Sequence, residues 1–321
     1  MRNVVLKAKT GNKIANRQVI SDTLLQLGKA DRDILVLTSD SRGSASMVQF
    51  GKELPHQIVE VGIAEQNIVG IAAGLAHSNK KPFVASPACF LSMRSIEQVK
   101  VDVAYSQTNV KLIGISGGVS YGALGMSHHS LQDIAVTRAI PGLDVMLPAD
   151  RHEAKKMIEA LVEYDRPVYV RIGRNPVEDS YQSEDYDFQI GRAVTMRDGN
   201  DLTIIASGET VRVALDSAEA LDQEGISCRV INMHTIKPLD EDTIIKAAKE
   251  TGRIITIEEH SIHGGLGAAV AEVVIQHHPV RMKILGIPDE PAVTGNTAQV
   301  FDYYGLSVEN VKKIANLLLA N

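Results

Sequence analysis

VEVGIAEQNIVGIAAGLA, residues 59–76, is apolar or small almost throughout after Val61, yet Glu65 stands inside it, followed by Gln66 and Asn67. The β-branched run QIVEV (57–61) ends where this stretch turns into an Ala- and Gly-rich segment read as a helix over 64–77. A strand passing into a helix is the repeating unit of an α/β fold. In such folds ligands bind at the C-terminal ends of the strands, which is where Glu65 falls. A carboxylate there has two readings. It is favoured at a helix start by the macrodipole, or it serves a ligand. The Gly and Ala positions 70, 72, 73, 74 and 76 allow close packing, including against another subunit.

The same alternation extends in both directions. Strands are predicted at 34–38, 57–61, 82–86, 110–116, 143–148 and 167–172, and helices at 16–27, 64–77, 94–105, 130–139 and 151–163, the last capped by Asp150. Residues 173–187, GRNPVEDSYQSEDYD, are acidic and turn-rich and read as an exposed linker. A second series follows, with strands at 201–207, 227–233, 253–259 and 281–287 and helices at 209–224, 240–251, 265–277 and near 307–319. The expected fold is α/β, with two doubly wound domains and mostly parallel sheets: residues 1–180, with the linker from about 173, and residues 188–321.

Composition sets limits on function. The 321 residues are 44% hydrophobic and 22% charged, as in a packed protein of about two domains. A net charge of −6 with no basic block argues against nucleic acid and against a polybasic membrane patch. No apolar run is long enough for a membrane helix, and MRNVVLKAKT lacks a signal-peptide core. Cys89 and Cys228 are far apart, form no metal spacing and fit a reducing cytoplasm.

Other candidate groups lie on loops. GISGGVSYGALGMSHHSLQDIA (114–135) is glycine-rich and carries His128 and His129, which read as acid/base groups or as structural histidines. Its spacing is neither a dinucleotide fingerprint nor a Walker loop. Arg17, Arg94 and Arg174 are either phosphate clamps or surface salt bridges. GGLG (264–267) precedes a helix and is a candidate phosphate loop. No cluster suggests a metal site.

The order of these pieces resembles the C-terminal half of transketolases, the thiamine-diphosphate enzymes. ANR (15–17), TSDSRGS (38–44), VGIAEQN (61–67), GMSHHSLQDIA (125–135), DVMLPAD (144–150), GRN (173–175), HTIKPLD (234–240) and EEHSIHGGLG (258–267) carry the resemblance, which covers essentially the whole chain. It implies a pyrimidine-binding domain followed by the family's C-terminal domain. The GDG motif that holds Mg²⁺ and the diphosphate in full-length members is absent. The resemblance therefore implies the C-terminal subunit of a split transketolase, in an α₂β₂ assembly whose N-terminal partner supplies Mg²⁺ and the diphosphate site.

The resemblance also assigns roles. Glu65 hydrogen-bonds N1′ of the aminopyrimidine and favours its 4′-imino tautomer. Phe90 walls the pyrimidine, Met93 stands where another aromatic is usual, as does Pro87, and Asp40 lies near the cofactor. Arg17, Ser44 and Arg174 match the residues that hold the sugar phosphate. His128 matches a histidine beside C1–C2 of the ketose. Ser116 and Leu124 replace the family's donor-reading histidine and aspartate, which implies a branched, deoxy or otherwise unusual ketose phosphate. Rival readings are a deoxyxylulose-phosphate synthase-like or 2-oxo-acid dehydrogenase β-like subunit, and a non-catalytic assembly subunit.

Overall fold

The computed structural model describes residues 13–320. The signal-peptide reading of residues 1–10 thus concerns residues outside those described. Strand Ile34–Thr38 is apolar up to its last residue and buried on both faces, as a central parallel strand should be. It lies in a seven-stranded sheet ordered Thr235–Lys237, Asp144–Met146, Val168–Arg171, Lys111–Ile115, Lys81–Pro87, Ile34–Thr38 and Ile58–Glu60. All neighbours are parallel except the first pair. A five-stranded sheet follows the order Arg281–Ile287, Arg253–Ser261, Leu202–Ala206, Cys228–Asn232 and Val194–Arg197, antiparallel only at the last strand. The α/β expectation is borne out, and its parallel strands are covered by helices such as Glu65–His77, Arg151–Glu163, Thr210–Asp222 and Leu266–His277.

The halves interlock more than the sequence suggested. Thr235–Lys237 belongs to the second half of the chain but closes the edge of the first sheet. Asn232 reaches back to the buried Glu153 carboxylate at 2.9 and 3.0 Å. The expected exposed linker is corrected as well. Asp150 caps helix Arg151–Glu163 by accepting the His152 and Glu153 N–H groups at 3.0 and 3.1 Å. Its second oxygen takes the N–H groups of Ser180 and Tyr181 at 2.6 and 2.7 Å. Tyr181 is thereby drawn into the second core, and only 182–185 form a continuously exposed run. A burial-driven tie overrides the polar composition there.

Two predicted helices change shape. The helix expected over 94–105 is a short α turn, Ile96–Gln98, followed by a π-helix, Val99–Tyr105. The helix expected over 130–139 begins only at Asp133, because Gly118 and Ser130 exchange backbone hydrogen bonds and keep 118–130 as a closed loop. Unforeseen elements are the short helices Val48–Glu53, Ala88–Met93 and Thr297–Tyr304, the edge strand Val194–Arg197, and the antiparallel pair Lys13–Ala15 with Pro176–Glu178. Each is short or polar and so lacks a clear periodic signal.

Candidate active site

The C-terminal ends of the parallel strands in the larger sheet gather the candidate residues. Strand Ile58–Glu60 runs through Gly62, at φ 72°, into helix Glu65–His77. The left-handed turn at Gly62 is the position where glycine is required. Glu60 fixes this turn: its carboxylate accepts the Asp40 N–H at 2.6 Å, the Thr38 hydroxyl at 2.8 Å and the Gly62 N–H at 3.1 Å. Burial pushes the Glu60 carboxyl up, but these hydrogen bonds and Arg42 outweigh it and hold the group below the usual carboxylate range. Glu60 thus ties the Asp40 loop to the entry of the Glu65 helix, a link the sequence did not reveal.

Glu65 heads its helix with a buried side chain, only 3% exposed. Its partner is Arg94, whose Nη1 donates to Glu65 Oε2 at 2.6 Å. The Arg94 guanidinium lies over the Phe90 ring, 4.5 Å from its centroid. Phe90 meets the His128 imidazole edge-to-face at 5.3 Å, and Tyr121 meets the same imidazole edge-to-face at the same distance. Tyr121 in turn lies under the Arg174 guanidinium, 5.2 Å away. One run of contacts therefore joins Glu65, Arg94, Phe90, His128, Tyr121 and Arg174. Tyr121 is a member that sequence reasoning missed, and Arg94, read there as a phosphate clamp or a surface salt bridge, is instead the ion-pair partner of the buried Glu65. Arg94 was visible as an arginine after Phe90, but nothing local pairs it with a carboxylate 29 positions away.

The far end of this run is cationic. Arg17, beside the start of helix Asn16–Ala30, donates to the Ser44 main-chain oxygen at 2.7 Å. Burial, and then the charge of Arg174, hold the Arg17 guanidinium below its ordinary value. Its Nε is buried without a hydrogen-bond partner. Two guanidiniums held together with an orphaned donor suit a doubly charged oxyanion, which can take parallel hydrogen bonds from such forks. Arg17 thus touches the Ser44 main chain and lies within reach of the Arg174 charge.

The two histidines separate by role. His128 is partly exposed, with Nδ1 3.0 Å from the Ser127 hydroxyl. His129 is buried, its Nε2 lies 3.3 Å from the Gly122 oxygen, and burial holds it below the usual imidazole range despite that contact. His129 is a neutral support for the loop. Met93 and Leu124 are half-exposed, while Asp40 sits at φ 52° with its side chain outward. Ser116 is fully buried at φ 57°, so its hydroxyl faces the interior. The GGLG segment is no phosphate loop: the N–H groups of Leu266 and Gly267 already donate to the buried Glu258 carboxylate at 2.7 and 2.8 Å. Among the described residues no group of three or more His, Cys, Asp and Glu could hold a metal.

Comparison with known proteins matches the two halves separately. Residues 12–178 match the family description "Transketolase, pyrimidine binding domain", and residues 191–311 match "Transketolase, C-terminal domain". The chain belongs to the transketolase family. It is 55% identical over 304 residues to one of the subunits of an apulose-4-phosphate transketolase from Phocaeicola vulgatus, covering 95% of this chain and 97% of that protein. It is 36% identical over 300 residues to a 6-deoxy-6-sulfo-D-fructose transketolase subunit of a Clostridium species, covering 94% and 93%. A solved structure described as a split gene transketolase, inactive beta4 tetramer, superposes with a TM-score of 0.89 at 34% identity, covering 96% of this chain and 99% of that one. The transketolase chain thus has the extent of relatives that are themselves named as subunits.

Proposed function

We propose that the chain is the pyrimidine-side subunit of a two-chain, thiamine-diphosphate-dependent transketolase. The complex would move a two-carbon ketol unit from a ketose phosphate to an aldose phosphate. The observation that carries this reading is the unbroken run of contacts from the buried Glu65 to the Arg174–Arg17 pair. It supports reading Glu65, Phe90, His128 and the two arginines as proton partner, aromatic wall, imidazole and anion clamp.

The residues fit the cofactor. Glu65 offers a buried carboxylate, joined through Arg94 to the Phe90 ring, as an aminopyrimidine needs at N1′. When bound, thiamine diphosphate supplies the carbanion-stabilising chemistry that no side chain here can. Glu65 holds a proton at N1′, Phe90 and Met93 wall the ring, and Asp40 stands at the rim. His128 donates to the oxygen that gains charge beside the reacting carbon. Arg17, Ser44 and Arg174 fix the phosphate end and thereby the distance to that carbon. Mg²⁺ and the diphosphate fall to an N-terminal partner subunit.

Leu124 offers no acceptor to a sugar hydroxyl, which favours a donor other than an ordinary pentose phosphate. The relatives named for apulose 4-phosphate and for 6-deoxy-6-sulfo-D-fructose support that class. A homodimer of this chain inside an α₂β₂ assembly is supported by open space and exposed apolar groups around helix Glu65–His77 and the segments that follow it in the chain. Gly74 has empty space before it, Gly70 nearly so, and Ile63, Met93, Val101 and Tyr105 are exposed. No helix among the described residues is long and apolar enough to cross a membrane. Free, buried Cys89 and Cys228 fit a reducing cytoplasm.

The test is reconstitution with an N-terminal subunit that carries a GDG motif, plus thiamine diphosphate, Mg²⁺, a panel of ketose phosphates and an acceptor aldose phosphate. Two-carbon transfer that is lost on Glu65→Ala is the expected result. Near-wild-type turnover of the Glu65→Ala complex, or a preference for pyruvate as donor, would sink the proposal.

A further inference from the structure

The loop that carries Tyr121 and His128 belongs to the first half of the chain, yet it is held from the second. Glu259 lies on strand Arg253–Ser261, buried, and its Oε1 accepts the Val119 N–H at 2.8 Å. Two residues on, the Ser261 N–H donates to the Leu131 oxygen at 3.0 Å. These two contacts grip the loop just inside and just outside its base, which Gly118 and Ser130 close with backbone hydrogen bonds of 3.0 and 2.8 Å. The grip needs the glycines. A Cβ on Gly118 would lie 2.1 Å from Glu259 Cδ, and one on Gly117 would lie 2.4 Å from Arg171 Nε.

Arg171 links the loop to the phosphate end. Its Nη2 donates to the Glu259 main-chain oxygen at 2.6 Å and lies 3.7 Å from Glu259 Oε2, while its Nε is 3.5 Å from Asp133 Oδ2. Arg171 ends strand Val168–Arg171, three residues before Arg174. On that segment the Gly173 N–H donates to Glu209, and Asn175 Nδ2 donates to the Thr297 hydroxyl at 2.9 Å, both partners again from the second half.

We infer that Glu259 is a positioning residue for sugar-phosphate handling: it fixes Val119 and Arg171, and through them the Tyr121–His128 loop and the Arg174 segment. The role rests on the functional reading above. It gives the C-terminal domain a part in substrate geometry without any contact to substrate. A buried hydrogen bond to a carboxylate is among the stronger ones, and its loss leaves the base of the loop held by the backbone hydrogen bonds of Gly118, Ser130 and Leu131.

Two variants separate position from fold. Glu259→Ala removes the acceptor; Glu259→Gln keeps an oxygen for the Val119 N–H. Hydrogen exchange of the full chain, without partner, is read at peptides spanning 117–130 and at helix Thr210–Asp222. The expected result is exchange about tenfold faster at 117–130 in the alanine variant, an unchanged helix, and near-wild-type behaviour of the glutamine variant. In the reconstituted complex, the alanine variant should raise KM for the ketose phosphate about tenfold, with thiamine diphosphate affinity unchanged. Unaltered loop exchange, exchange raised equally in the helix, a glutamine variant as loose as the alanine one, or a loosened loop with unchanged KM would each overturn the role. The exchange arm needs no turnover, so a wild-type complex that transfers no ketol refutes the proposed function alone and leaves Glu259 to be judged by the loop.

Discussion

Arg174→Met isolates the anion clamp from the fold. Methionine keeps an unbranched apolar stem against Tyr121 and removes only the charge and its donors. In the intact protein Arg174 gains from lying over Tyr121 at 5.2 Å, worth about 0.5–1 kcal/mol at a partly exposed site. It loses through its repulsion of Arg17, the same interaction that holds Arg17 down. The two effects oppose, so unfolding stability should change by no more than about 0.5 kcal/mol. Binding should respond differently. A charge-assisted hydrogen bond to phosphate contributes about 1.5–3 kcal/mol, so KM for a phosphorylated donor should rise roughly ten- to a hundredfold. The assay is steady-state kinetics of the reconstituted complex with a ketose phosphate and its dephosphorylated counterpart, beside thermal unfolding of the chain with and without inorganic phosphate. The variant should lose discrimination between the two donors, and phosphate should no longer raise its Tm. An equal loss on both donors, or an unchanged KM with the phosphorylated one, would refute the clamp.

Arg94→Met should cost about 1–2 kcal/mol in denaturant unfolding, below the cost of breaking a fully buried pair because Arg94 is 45% exposed while Glu65 is not; a neutral result would show that the pair is not held in solution. Gly118→Ala should cost about 3 kcal/mol or more, since φ is 61° and the new Cβ would meet Glu259 and Arg171; a wild-type Tm would contradict the packing under the loop. Glu209 is partly buried, and burial, seconded by Glu259 and opposed by Arg171 and the Gly173 N–H, pushes its carboxyl up to about 8. Its folded value lies above its unfolded one, so its contribution to stability is complete below pH about 4.5 and falls by up to about 1.4 kcal/mol per pH unit as pH rises towards 8. Glu209→Gln keeps an acceptor for Gly173 and should flatten that slope in unfolding measured from pH 5 to 8; an identical slope would assign it to other groups.

The legibility of this site varied with sequence distance. Helix Arg151–Glu163 and its Asp150 cap were plain because cap, first turn and apolar stripe are all local. Glu65, Phe90, His128, Arg17, Ser44 and Arg174 were named from motifs, and the contacts that join most of them became visible only in space. Tyr121 and Glu60 were passed over, and Arg94 was named without its partner, because an ion pair, a ring contact or a three-way carboxylate tie has no local signature. The 173–187 segment misled for a related reason: its composition is that of an exposed loop, yet Asp150 draws Ser180 and Tyr181 inward.

The amino-acid order alone determined the alternation of buried strands and amphipathic helices, the glycines at forced turns and the residue types available for chemistry. These follow from side-chain periodicity and backbone sterics, which act over a few residues. The tertiary structure alone decided that Thr235–Lys237 completes the first sheet and that Arg94 closes on Glu65. It also decided that Glu259 supports a loop 140 residues earlier in the chain. Those pairings join groups whose separation along the chain carries no information about distance. Burial selects them, because a charge or N–H taken from water must find its partner wherever the packed core brings one.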